Sequence, residues 1–332
     1  MDEQIKFNSF VIEEKEQQFF GSIRTRSVSD LPAGDLLIKV CYSSLNYKDA
    51  LSATGNKGVT KKYPHTPGID AAGTVISSAS DHFKKGDKVI VTSYDLGMNT
   101  DGGFGQYIRV PEEWAVRLPE EMTMKEAMII GTAGLTAGIS VLRLTEQVRP
   151  EYGKVIVSGA TGGVGSLSVT ILAQLGYDVI AITGKEEEQN FLYSLGAKEI
   201  RLRQEFENGE TPPLLKGIFA GGIDTVGGNI LENMIKSCQP MGVITCCGNA
   251  ASPKLNLTVF PFILRGISLI GIDSQNYPML ARKIVWNKLA KEWKPAKLMN
   301  IYTEISLTGL NEKIEQMLRG KLKGRTILNL ES

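Results

Sequence analysis

The sequence predicts an α/β fold, with a β-rich first part followed by a doubly wound parallel sheet. Three observations predict it. Short apolar-alternating runs recur between turn signals over residues 1–120. From Gly153 onward strand and helix patterns alternate, as they do in a parallel sheet with helices on its faces. At the head of that alternation a glycine-rich loop, 159–165, joins a strand to a helix.

The first runs are 5–12, 36–43, 73–77, 87–92, 105–110 and 115–118, a spacing that suggests a barrel or sandwich. Leu31-Pro32-Ala33-Gly34, Lys85-Gly86-Asp87 and Asp101-Gly102-Gly103 mark turns between them. Over 123–145 the pattern becomes helical, with Thr123 as the cap and Glu126 completing a capping box. A strand at 154–158 leads to a helix at 163–175 stopped by Gly176. A strand at 178–183 leads to a helix at 186–195 stopped by Gly196. Further strands fall at 199–202, 222–226, 242–247 and 267–272. The last stretch holds helices at 277–293 and 310–318 and a strand at 324–330. The most loop-like insertion is 205–213, rich in Glu, Gly and Pro.

The 332 residues suffice for two domains, each with its own core. Lys plus Arg number 37 against 36 Asp plus Glu, so no charge excess points to nucleic acid or an anionic membrane. Two histidines, His65 and His82, and four cysteines without a CxxC pair give no metal-ligand spacing. Cys246 and Cys247 lie in an apolar run and read as buried core thiols, which suits a reducing compartment. Met1-Asp2-Glu3-Gln4 begins no signal peptide, and no long apolar run is free of Gly, Pro or charge. The expected location is the cytoplasm.

The loop reads Ser158-Gly159-Ala160-Thr161-Gly162-Gly163-Val164-Gly165, an A-x-G-x-x-G version of the dinucleotide fingerprint. Its glycines let the backbone approach a pyrophosphate, and the helix N–H groups hold it, so Thr161, Gly162, Gly163 and Val164 are candidate cofactor contacts. The next strand ends in Thr183-Gly184-Lys185, with no acid to take a ribose 2′-hydroxyl. Lys185 and Arg203 suit a 2′-phosphate, which favours NADPH. The alternative is that Glu186, Glu187 or Glu188 reaches the ribose. Glycines also follow two later strands, at Gly227-Gly228 and at Gly248-Asn249, where open sheets bind ligands or merely turn.

Several segments carry a family resemblance: Ser44-Leu45-Asn46-Tyr47-Lys48-Asp49, Pro67-Gly68-Ile69-Asp70, Gly131-Thr132-Ala133-Gly134, Gly222-Ile223-Asp224-Thr225-Val226-Gly227 and Pro261-Phe262-Ile263-Leu264-Arg265. With them the chain resembles the medium-chain dehydrogenase/reductase superfamily, in its zinc-free quinone oxidoreductase-like branch. Within it the acrylyl-CoA reductase (NADPH) subgroup is most similar. The resemblance implies a Rossmann sheet inserted in a GroES-like β-barrel catalytic domain. The boundaries are 1–124 for the first catalytic part, 125–265 for the Rossmann domain, and 266–332 for its last strand and the return. Zinc-dependent members place a Cys near Asn46 and Gly-His-Glu near Gly68, which this chain lacks. The implied cofactor contacts also include Tyr47, Asn249, Ile263 and Ser274.

The implied reaction is hydride transfer to the β-carbon of an activated C=C bond and protonation of the α-carbon, without a metal. Tyr47 is the candidate donor near the nicotinamide, Asn46 the oxyanion donor, and Asp49 the residue that orients a neighbour such as Arg325. Asn46 and Asp49 equally suit a role in fixing a loop through backbone bonds. His65 reads as a loop residue and His82 as surface. Lys57, Lys61, Lys62, Arg265 and Arg282 are candidate partners for the phosphates of a CoA substrate. A quinone or 2-alkenal reductase is the enzyme alternative, and an idle NADPH binder the non-enzyme one. A homodimer is expected through the strand at 267–272, an apolar run that is hazardous as a bare edge.

Overall fold

The computed structural model describes residues 5–207 and 212–331. The end at 1–4, read above for a signal peptide, and the middle of the 205–213 insertion lie outside the described residues. The chain divides into two compact units. The first comprises 1–132, 275–290 and 298–332, and the second 133–274 and 291–297.

The first unit opens with a hairpin, β1 (Lys6–Lys15) and β2 (Gln18–Ser27). Its turn residues Glu16 and Gln17 both have positive φ, at 51° and 63°, which matches the twist of the strands. Then come β3 (Leu36–Leu45), α1 (Tyr47–Ala53), β4 (Asp70–Ser78), β5 (Lys88–Thr92), β6 (Tyr107–Val110) and β7 (Ala115–Arg117). α2 (Met124–Thr145), which belongs to the second unit from residue 133 on, follows, started by the expected capping box. The Glu126 N–H donates to Thr123 Oγ1 at 3.2 Å, and the Thr123 N–H donates back to Glu126 Oε2 at 2.8 Å. By length and composition α2 could cross a membrane, but 83% of its apolar stretch is buried. Its helical path is also broken at Gly131, with φ 52° and ψ −157°.

The second unit holds β8 (Val155–Val157), α3 (Gly163–Gln174), β9 (Val179–Thr183), α4 (Gln189–Leu195), β10 (Glu199–Leu202), β11 (Phe219–Asp224), α5 (Gly228–Lys236), β12 (Cys238–Cys246), α6 (Phe260–Arg265) and β13 (Ser268–Gly271). The chain then supplies α7 (Met279–Ala290), β14 (Tyr302–Ile305), α8 (Leu310–Leu318) and β15 (Arg325–Asn329) to the first unit.

The sheet of the second unit is all parallel, in the order β10-β9-β8-β11-β12-β13. β8 and β9 are buried along their whole length, which is why they read as unbroken Val/Ile runs. Gly176 and Gly196, at φ 87° and 104°, end the turns after α3 and α4 as the sequence predicts.

The sheet of the first unit runs β14-β15-β3-β4-β5-β7, with β6 on β3. The pairs are antiparallel except β14 with β15. Its inward residues, among them Leu36, Ile38, Val75, Val89, Ile108 and Val110, are fully buried. This order sets β15, β3 and β4 side by side. Their register pairs Thr326 with Leu45 and Ser43 with Ala71. Ser44, Asp70 and Arg325 therefore share one end of the sheet.

Candidate active site

In the first unit that sheet end carries a buried polar cluster. Asp70, with no exposed surface, opens β4. Its Oδ2 accepts from Ser44 Oγ at 2.6 Å, Asn46 Nδ2 at 2.8 Å and the Thr132 N–H at 2.9 Å. Its Oδ1 accepts from Thr132 Oγ1 at 2.6 Å. Arg325 stands 3.8 Å from Oδ2. A buried carboxylate demands this many donors, because nothing else replaces its lost hydration.

Arg325, only 3% exposed, donates Nη2 to Ser44 Oγ at 2.8 Å, Nη1 to Asn46 Oδ1 at 3.2 Å and Nε to the Ile129 carbonyl at 2.9 Å. Burial pulls its pKa down; the charges of Asp70 and Asp49 push it back up. Thr132 donates to Asp70, so the 2.8 Å bond between Ser93 Oγ and Thr132 Oγ1 has Ser93 as donor. Ser93 and Tyr94 follow β5 at φ 65° and 51°, a conformation that costs bulky residues energy. Arg282 on α7 holds that turn. It is fully buried, donates Nη1 to the Thr92 carbonyl at 2.8 Å, and lies 4.4 Å from the Tyr94 ring centroid.

Asp49, in the first turn of α1, is also fully buried. Its carboxylate accepts the backbone N–H groups of Asn46, Gly68 and Ile69 at 2.7, 3.1 and 2.8 Å. Burial, then the charge of Asp70, pushes its pKa up to about 7, against the pull of those three donors. Asp49 thus ties α1 to the 68–69 turn and makes no hydrogen bond to Arg325, contrary to the expectation that it orients that residue. The Asn46 amide is spent as well. Nδ2 serves Asp70 and the Ser44 carbonyl, so it is not an oxyanion donor. Tyr47 differs: it is 49% exposed, and among the described residues its hydroxyl has no hydrogen-bond partner.

The cluster does not fit zinc. Amide, hydroxyl and guanidinium groups surround one carboxylate, where a zinc site needs Cys, His or further carboxylates. A dication there would face Arg325. Among the described residues no three His, Cys, Asp or Glu side chains are grouped to hold a metal ion.

In the second unit the loop after β8 builds an anion cradle. Gly159 takes the left-handed conformation at φ 57°, one residue before the Ala160 that replaces the first fingerprint glycine. Ala160 is buried, with its N–H bonded to the Ile182 carbonyl at 3.0 Å. A Cβ at Gly165 would stand 2.3 Å from the Gly159 carbonyl oxygen, so only glycine lets α3 pack on the turn. Gly162 caps α3 without a side chain, leaving the first N–H groups for a ligand.

Two further loops close on this turn. Ser158 Oγ donates to Asp224 Oδ1 at 2.6 Å and accepts the Thr225 N–H at 2.9 Å. Thr225 Oγ1 donates to the Ser158 carbonyl at 3.0 Å. Burial raises the pKa of Asp224; the Ser158, Gly227 and Val226 donors lower it. Gly248 abuts Thr225 so closely that a Cβ would meet its carbonyl oxygen at 2.1 Å. The glycine loops after β8, β11 and β12 thus form one surface, with Asn249 exposed on the third.

At the end of β9, Thr183 Oγ1 accepts the Lys185 N–H at 3.0 Å and lies 3.5 Å from Thr161 Oγ1. The Arg203 guanidinium lies against Gly184, where a Cβ would stand 3.2 Å from Cζ and Nε. Glu186–Glu188 forms a 3-10 turn ahead of α4. Ser274 Oγ accepts from Thr136 Oγ1 at 2.7 Å, and Ile263 is 67% exposed on α6.

Other expected sites are occupied. Arg265 donates Nη1 to the Lys236 and Cys238 carbonyls at 2.9 Å, and Arg282 is buried as described, so neither is available to a CoA phosphate. Lys57 pairs with Glu14 at 2.8 Å, while Lys61 and Lys62 are exposed. His65 is a buried loop residue bonded to the Gly97 carbonyl at 2.9 Å, with its pKa lowered by burial; His82 is exposed. Cys246 and Cys247, expected in the core, are half-buried instead. Sequence reasoning missed Ser44, Asp70, Ser93, Thr132, Ser158 and Asp224 as site residues, although most lie in the segments that carry the family resemblance.

Residues 32–120 match the alcohol dehydrogenase GroES-like domain, and residues 163–291 match the family described as zinc-binding dehydrogenase. The chain is 43% identical over 310 residues to the putative quinone oxidoreductase YhfP of Bacillus subtilis, covering 93% of this chain and 94% of that one. It is 38% identical over 329 residues to the acrylyl-CoA reductase AcuI of Ruegeria pomeroyi, covering 98% of this chain and 100% of that one. The structure of the yhdH oxidoreductase from Salmonella enterica in complex with NADP is similar at a TM-score of 0.95 and 39% identity, over 97% of this chain and 99% of that one. That of Bacillus subtilis yhfP with NAD bound is similar at 0.96 and 41%, over 98% and 100%.

Proposed function

The chain belongs to the medium-chain dehydrogenase/reductase superfamily, in its zinc-free, quinone oxidoreductase-like branch, and from that premise we propose that it reduces the activated C=C bond of a short enoyl thioester with NADPH. Acrylyl-CoA, giving propionyl-CoA, is the substrate this reading names. The observation that carries it is the buried cluster around Asp70 and Arg325, built from the Asn46 and Gly68–Asp70 segments in which the resemblance puts the zinc ligands of zinc-dependent members, and offering amide, hydroxyl and guanidinium groups instead. In carbonyl reduction by those members the zinc, a Lewis acid, holds the developing alkoxide. Conjugate reduction depends on it less, because the charge spreads into an enolate.

NADPH supplies the hydride. The α3 N-terminus and the 225 and 248 loops hold its pyrophosphate, and Arg203 and Lys185 hold its 2′-phosphate. Similar proteins carry NADP in one case and NAD in another; in this reading Lys185 and Arg203, after β9 and β10, favour the phosphorylated form. The β-carbon gains the hydride, and the π pair moves to the thioester oxygen. Tyr47, exposed and unengaged, delivers a proton to the α-carbon and recovers it from solvent. Asn46, Asp49 and Arg325 are positioning residues that fix the start of α1, where Tyr47 stands. Identity to a full-length acrylyl-CoA reductase supports the substrate class.

The second reading, NADPH-dependent quinone reduction, is favoured by the higher identity to YhfP. NADPH oxidation without added metal, with acrylyl-CoA and a simple quinone in parallel, separates the two. A higher kcat/KM for the thioester supports the first; a higher value for the quinone overturns it. Turnover of neither, with NADPH still bound, points to an idle binder.

We further read the active form as a homodimer. β13 ends its sheet, and α6 with its N-cap Val259, which lead into it, expose Val259, Ile263 and Leu264 at 61, 67 and 63%. Sedimentation showing only monomer at micromolar concentration would remove this idea.

A further inference from the structure

We propose that Glu207 is an internal counter-ion that competes with the dinucleotide's 2′-phosphate for Arg203, and so sets how strongly the site prefers NADPH over NADH; this rests on the NADPH reading above. Arg203 is placed by three features. Gly184 ends the β9 segment without a side chain, and the guanidinium lies over it, with Cζ and Nε 3.2 Å and Nη1 3.6 Å from where a Cβ would be. Arg203 opens the 3-10 turn that follows β10, the strand paired to β9. Glu205 in that turn is spent, because its Oε1 accepts the Leu202 N–H at 3.0 Å.

Four residues along the chain, Glu207 Oε1 meets Arg203 Nε at 3.0 Å. Among the described residues it is the one ion-pair partner of Arg203. Both side chains are largely exposed, at 51 and 42%. The pair therefore holds weakly, by about twofold in an equilibrium. A phosphate monoester carries nearly two charges and accepts two guanidinium bonds at once, so it displaces a single carboxylate.

The displacement has a cost that falls on one nucleotide only. When a 2′-phosphate takes Arg203, Glu207 loses its partner and its charge remains beside the new anion. A nucleotide with a 2′-hydroxyl leaves the Arg203–Glu207 pair intact. Glu207 thus weakens NADPH binding and leaves NADH binding alone. Glycine at 184 is what keeps the guanidinium at this place; a side chain there would push it out.

The experiment is calorimetric titration of the full-length protein with 2′,5′-ADP and 5′-AMP, which carry the two ribose chemistries without the redox ring. Glu207→Gln is expected to tighten 2′,5′-ADP by about threefold and Glu207→Lys by about tenfold, with 5′-AMP unchanged. In an Arg203→Ala background, Glu207→Gln is expected to have a smaller effect, since only the repulsion between its charge and the 2′-phosphate is left. An unchanged 2′,5′-ADP affinity in Glu207→Gln, or an equal shift for 5′-AMP, overturns the role of Glu207 while the NADPH reading stands. A wild type that binds 2′,5′-ADP no tighter than 5′-AMP overturns both.

Discussion

Thr132 holds the Asp70 carboxylate twice, through its backbone N–H at 2.9 Å and its hydroxyl at 2.6 Å. It does so because Gly131 leaves the helical path of α2 one residue earlier, freeing the Thr132 N–H from the helix. The kink is therefore part of how a charge is kept in the interior of the first unit.

Gly131→Ala tests that kink. The residue has φ 52°, and a Cβ would stand 2.5 Å from Asp70 Oδ2, 2.7 Å from Ser44 Oγ and 2.9 Å from Arg325 Nη2. Backbone strain and a forced opening of the cluster add together. The expected loss is about 2–4 kcal/mol of stability, read by urea denaturation. A variant as stable as the wild type would show that the cluster yields without cost.

Arg325→Met removes the cation beside Asp70, whose carboxylate has no exposed surface. Breaking such a pair from one side costs about 3–5 kcal/mol. Asp70→Asn in the same chain should recover part of that loss, since the stranded charge is then gone. Strictly additive losses in the double variant would contradict the coupling.

Asp49 makes a signed prediction about pH. Its folded pKa, about 7, lies above that of a carboxyl in the unfolded chain. Between the two values the folded state holds the proton more often than the unfolded state. Stability therefore falls as pH rises through that window. Asp49→Asn should remove this slope, measured as the unfolding midpoint between about pH 4 and pH 7. The same slope in the variant would assign it to other groups.

Ser158→Ala withdraws the donor to Asp224 and the acceptor of the Thr225 N–H. Losing one of three hydrogen bonds to buried Asp224, together with the acceptor of the half-buried Thr225 N–H, costs about 1–3 kcal/mol. Because these bonds join the phosphate loop to the loop after β11, NADPH affinity should fall about tenfold by fluorescence titration. Lost stability with unchanged NADPH affinity would separate this bond from the cradle.

The parallel sheet was legible because its strands are apolar runs bounded by glycines, as at Gly176 and Gly196. β2 was not, since Gln18–Ser27 has no buried residue and mixes half-buried and exposed positions without an apolar face. α1 escaped because seven residues are too few to show a helical period, and β14 because Tyr302–Ile305 lies at the sheet edge. In the second unit the cradle could be read from local spacing. The cluster in the first unit could not: Ser44 and Arg325 are 281 residues apart and meet only through strand register. Strand pairing also hid that the Asn46 amide is spent on Asp70, 24 residues further along the chain.

The measurement that bears most directly on the central claim uses NADPH carrying deuterium at the transferred position, with acrylyl-CoA, followed by mass spectrometry of the product. Propionyl-CoA with one deuterium, placed at the β-carbon, is the result predicted. Deuterium at the α-carbon, or no labelled propionyl-CoA while a quinone is reduced, would contradict it.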